Sequence, residues 1–139
     1  MSGISTDVRA LGDATLEALV EIMFLAASAD GEFSPVERAH FLKSVESLTD
    51  GRLAVTRLMM LLADAKDALV RDGRLARLRE IKARLPEPNA RKVALQLAVQ
   101  VTNADGIIRT SERELILEIA EALEIDRDEA ANLVSRVTA

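Results

Sequence analysis

Apolar residues recur three and four positions apart along almost the whole chain, and the turn signals between these runs predict seven helices. Leu16, Leu19, Val20, Met23 and Ala27 place the first helix over about 14–29. From Val20 to Ala29 it is apolar almost all round, Glu21 apart, which predicts a central position. Gly31 supplies a left-handed residue to end it. The second helix opens on Ser34, Pro35, Val36 and Glu37. These are a hydroxyl cap, a proline suited to the first helical position, and an acid that reaches back to the free N–H of the cap. It runs to about Leu48, where Thr49, Asp50 and Gly51 break it. The third begins near Arg52 and carries Leu53, Leu58, Leu61, Leu62 and Leu69; it either ends at Asp72 and Gly73 or kinks through Gly73. The fourth holds Leu75, Leu78 and Ile81 pointing inward, then Leu85, and is stopped by Pro86 and Pro88. The fifth, about 90–104, sets Val93, Leu97 and Val101 on one face with Ala94 and Ala98 beside them. The sixth runs from near Thr110 to about Leu123, and the seventh opens on an acidic capping box from Asp126 to Glu129 and ends near Val137.

One stretch of this pattern occurs twice. Ala29, Asp30 and Gly31 are followed after five residues by Glu37 and Arg38; Ala104, Asp105 and Gly106 are followed after five residues by Glu112 and Arg113. The copies align without a gap, 75 positions apart. An apolar helix, an Asp-Gly loop and a capped helix therefore come in that order twice. The expected organisation is a single domain over 1–139, with internal repeats at about 14–49 and 90–124 and a connector at about 50–89. Paired helix–loop–helix units of this kind pack around a pseudo-twofold axis, with the two apolar helices side by side.

Composition narrows the chemistry. Of the 139 residues 49% are hydrophobic, mostly Ala, Leu, Val and Ile, with three Phe and no Trp or Tyr. This favours helices over strands and excludes disorder. There is no Cys, so disulfides, thiolate metal sites and Cys nucleophiles are excluded. With one His, His40, any bound metal would be a hard, oxygen-liganded cation such as calcium, magnesium or manganese. The net charge of −5 is uneven: residues 1–65 carry −5, residues 66–92 carry +5 and residues 93–139 carry −5. The acidic total and the lack of stacking aromatics argue against nucleic acid. No signal peptide is expected, because the first dozen residues lack an apolar run, and no transmembrane segment, because the longest apolar stretch, Ala18 to Ala29, contains Glu21 and is about half a span.

The doubled Ala-Asp-Gly with its following Glu-Arg resembles the TerB-like family of bacterial tellurite-resistance proteins, over about Ala14 to Leu133. The resemblance implies an all-α fold of two pseudo-symmetric halves around two central apolar helices. It also implies an acidic cluster proposed in that family to bind metal. Carried over by position, that cluster is Asp30 and Glu37 in the first half and Asp105 and Glu112 in the second. Glu32 adds a third carboxylate to the first loop; the second loop has Ile107 there and gains Arg109, so the first is the better cation site. By the same resemblance the chain is a non-enzymatic, cytoplasmic interaction module of the tellurite or stress response. Related domains sit beside chaperone and membrane partners, so a peripheral place at the inner membrane is also implied, and a homodimer is compatible with the sequence.

The residues also allow plainer readings. Asp30 and Asp105 follow helix C-termini, where the macrodipole disfavours an acid by roughly 0.3–1 kcal/mol. A cation offsets that, but so does an Asx turn to loop N–H groups, with each Glu merely closing a helix start. This reading, a ligand-free structural or adaptor domain, is weighed above the metal-binding one. A metal-dependent hydrolase built on the four carboxylates ranks third, since no acid–base partner or phosphate loop accompanies them. His40 is expected at the surface, and Met59 and Met60 are read as core before partner surface. The basic run Arg71, Arg74, Arg77, Arg79, Lys82 and Arg84 is expected to pair with the chain's own acids before any anionic lipid or acidic partner.

Overall fold

Ala18 to Ala26 leave the first helix no polar face except Glu21, so a stable fold has to cover it on every side. The computed structural model describes residues 13–28, 35–48, 51, 53–102 and 110–138, and does so. Among them are seven helices and no strand: α1 (Asp13–Ala27), α2 (Pro35–Leu48), α3 (Val55–Asp72), α4 (Arg74–Arg84), α5 (Pro88–Thr102), α6 (Thr110–Ala122) and α7 (Arg127–Thr138). Every residue of α1 from Ala18 to Ala26 is buried. The helix packs most extensively on α5, the second apolar helix, and is flanked by α3, α4 and α6; α5 in turn meets α2, α6 and α7. Buried residues of all seven helices join in one apolar cluster.

The ends of the helices follow local chemistry. At the end of α1 the Ser28 hydroxyl donates to the Phe24 carbonyl (2.8 Å), which also accepts from the Ser28 N–H (3.0 Å). Pro88 opens α5 two residues before the expected start, at the first helical position, where no N–H is needed. Gly73 ends α3 rather than kinking it. Its φ of 87° and ψ of 159° lie in a region open almost only to glycine, and its carbonyl already accepts from Arg77 N in α4. At the end of α6, Ile125 N donates to Ala120 O and Glu124 N to Glu121 O, a Schellman closure in which Glu124 takes the left-handed position (φ 60°). Asp126 Oδ2 accepts from the N–H groups of Asp128 and Glu129, as the capping box predicts.

Two expectations are corrected. Leu75 does not point inward; it is 55% exposed, because the buried face of α4 consists of Leu78 and Ile81 and cover does not reach its first turn. Met59 and Met60 are not core; they are 50% and 55% exposed. The helix α3 lies at an edge and buries only the Leu58, Leu62, Ala65 and Ala68 face.

Candidate functional site

Glu21 is 7% exposed, a carboxylate in the middle of the most buried helix. A charge there costs several kcal/mol to desolvate unless it is paired with good geometry. The partners come from α4. Arg77 and Arg84 stand seven residues apart, two turns along one face, and both reach Glu21. Arg77 Nε donates to Glu21 Oε2 (2.7 Å) and Arg77 Nη2 to Oε1 (3.0 Å), the forked geometry that makes Arg–carboxylate pairs strong. Arg84 Nη2 donates to the same Oε1 (2.7 Å). Arg77 Nη1 continues to Asp72 Oδ2 (3.1 Å), and Asp72 takes both Nε and Nη2 of Arg71 (2.9 and 3.1 Å). The result is a chain of alternating charge, Arg84–Glu21–Arg77–Asp72–Arg71, that ties α1 to α4 and to the end of α3. It lines a cleft of about 390 Å³ that also touches Glu17, Asp64 and Asp67.

The hydrogen bond to Glu21 is the main cause that pushes the Arg77 guanidinium further above its already high range. Such a group gives up no proton. Both oxygens of Glu21 are taken, so at its centre the cluster offers neither a general base nor a nucleophile. It is a clamp between helices. The Arg84 Nε is buried with no partner among the described residues, so the clamp, three guanidiniums on two carboxylates, is not fully satisfied.

Of the rest of the basic run, Arg74 and Lys82 also turn to the protein's own acids, while Arg79 has no ion pair among the described residues. Arg74 Nε lies 2.7 Å from Glu118 Oε1, an ion pair without hydrogen-bond geometry. Lys82 pairs with Glu124 (2.8 Å), Lys92 with Glu129 (2.7 Å), and Arg57 with Glu17. The +5 segment is thus offset internally, as expected. The hydrogen bond from Arg71 holds the Asp72 carboxyl below the usual carboxylate range, and that from Lys82 does the same for Glu124. A carboxyl lowered in the folded state adds stability above its unfolded pKa, and that stability is lost as pH falls through its folded pKa. Asp72→Asn and Glu124→Gln are therefore expected to be slightly less stable than the parent at neutral pH, with the gap narrowing from about pH 4 downward and closing once pH has passed the lowered folded values. Urea midpoints across that range check this; a gap that persists in acid would contradict it.

The residues expected to hold a cation fall mostly outside the described ones. Asp30, Glu32 and Asp105 lie outside the described residues, and of Glu37 only its place in the first turn of α2 is described. Glu112 stands in the first turn of α6, half-buried and engaged in an interaction of its own. Among the described residues no three metal-ligating side chains come together. Glu21, Arg77 and Arg84 went unnoticed as a unit in the sequence. The signal was present: one acid inside an apolar run, and two arginines seven apart on a helix whose inner face is otherwise leucine and isoleucine.

A family model for the tellurite resistance protein TerB matches residues 16–134. No curated protein and no solved structure matches the chain.

Proposed function

Because the chain belongs to the TerB family of tellurite resistance proteins, we propose that it is a non-catalytic helical interaction module of tellurite or general stress resistance, whose place for a divalent cation, if it takes one, is the first of its two Ala-Asp-Gly loops. The observation that carries the non-catalytic part is the closure of the one buried charge cluster described above, whose acid is taken up by two guanidiniums. With no Cys in the chain, no thiol can reduce or capture tellurite, so a role in resistance runs through partners. The partners are proteins, met in the cytoplasm or at the inner face of the membrane. No helix among the described residues is long and apolar enough to cross a membrane.

The cation belongs at Asp30, Glu32 and Glu37, with Asp105 and Glu112 a weaker second set, because the first loop carries one more acid and lacks Arg109. Calcium takes about six to eight oxygens, so backbone carbonyls and water complete either shell. Calorimetric titration of the full chain with calcium, magnesium and manganese tests this. The expected result is heat with at least one metal, a raised melting temperature, loss of both in Asp30→Asn, and most of the effect kept in Asp105→Asn. Silence at millimolar metal removes the cation and leaves the ligand-free adaptor. The opposite ranking of the two variants overturns the order of the loops. Phosphoester turnover abolished by chelation would replace the module with a hydrolase.

A further inference from the structure

The second groove of the molecule lies on the other flank of α3 from the charged cleft. Phe24, Met59, Leu62, Ala63, Leu69 and Val70 give it an apolar floor of about 650 Å³, with Ser28, Arg38, Lys66 and Asp67 around them. Met59, Ala63, Lys66 and Val70 fall at i, i+4, i+7 and i+11, one stripe along the helix. That stripe is open: Met59 is 50% and Val70 82% exposed. Met59 and Val70 are two of the six large apolar side chains left exposed among the described residues, and both line this groove.

Charge says what covers it. Lys66 lies within the stripe and Arg38 reaches the groove from α2, and neither has an ion pair or side-chain hydrogen bond among the described residues. Together they outnumber the groove's one acid, Asp67, two to one. The open positions are therefore apolar and cationic. A concave face does not fit a flat bilayer, and a net charge of −5 disfavours an anionic one. A second copy laid face to face would set Arg38 and Lys66 against their own kind. We infer that this groove docks an amphipathic helix of a partner protein, with aliphatic side chains along one stripe and acidic residues on its flank. Methionine suits such a floor, since its unbranched side chain repacks around varied shapes.

The inference rests on the reading of the chain as an interaction module, and its test is independent of the cation titration. The full chain, with its methionine methyls labelled for NMR, is titrated with a synthetic helix of about 16 residues, long enough to persist in water. It bears Leu at i, i+4, i+7 and i+11 and Glu beside them; a Lys-flanked version and a scrambled one are the controls. The acidic peptide should bind and shift the Met59 methyl while the buried Met23 stays still. Met59→Asp should weaken it by at least about tenfold, or 1.4 kcal/mol. Since Met59 is half exposed, this variant should keep its fold, and Lys66→Glu provides a second reading by transferring the preference to the Lys-flanked peptide. Equal binding of all three peptides, or no binding of the acidic one, overturns the inference. Binding that leaves Met59 unmoved also overturns the groove while the module reading survives. So would a dimer in sedimentation that Met59→Asp dissolves, or a Met59 shift on adding phosphatidylglycerol vesicles, since the occupant would then be another copy or a lipid surface.

Discussion

Replacing Glu21 by alanine is expected to lower the stability of the fold by about 3 kcal/mol, although the substitution installs a better helix former in a helix that is apolar on every side. The loss comes from the partners. Arg77 and Arg84, with side chains 15% and 28% exposed, would keep their charges, Arg77 with Asp72 alone to receive it and Arg84 with no carboxylate among the described residues. Replacing all three together, Glu21→Leu with Arg77→Met and Arg84→Met, should recover most of the loss, because an intact apolar contact often matches a buried ion cluster. Urea denaturation of the single and triple variants makes the comparison. A single-variant loss under about 1 kcal/mol would put the clamp in the class of surface ion pairs and sink the account.

Leu19→Ala should cost about 4 kcal/mol, in the upper part of the range for buried leucines. Leu19 is fully buried on a helix enclosed by α3, α4, α5 and α6, so there is no free side from which the structure can relax into the space. Leu62→Ala, on the edge helix α3 and facing the open groove, should cost roughly half as much, because its surroundings can collapse or be wetted. Urea unfolding with an unchanged slope gives both values. Equal losses at the two sites would mean that α1 is less tightly enclosed than its burial implies.

The helices were readable because their signals are local. Pro35, Gly73, Pro86, Pro88 and the acids from Asp126 to Glu129 act on the backbone within a few residues, so boundaries fell within about three positions. What a periodic pattern does not contain is the neighbour. Leu75 and Met59 follow helical spacing as well as Leu78 and Leu62 do; which of them is covered depends on how far an adjacent helix extends. The same holds for the charges. The repeat pointed to Asp30, Glu37, Asp105 and Glu112 because they recur, whereas Glu21, Arg77 and Arg84 occur once and meet only when α4 is laid on α1.

The order in which the clamp's members are made has its own consequence. Arg77, the first of its partners to be made, follows Glu21 by 56 residues, so no pair can close until α4 is being synthesised. At roughly 5–20 residues per second, that leaves Glu21 hydrated and unpartnered for about 3–11 seconds. During this interval it is the sole charge between Ala18 and Ala29, in the stretch of nascent chain most prone to stick to its neighbours. The acid that is expensive to enclose in the finished protein is thus a gatekeeper while the protein is unfinished, and the two arginines relieve it of that duty when they arrive.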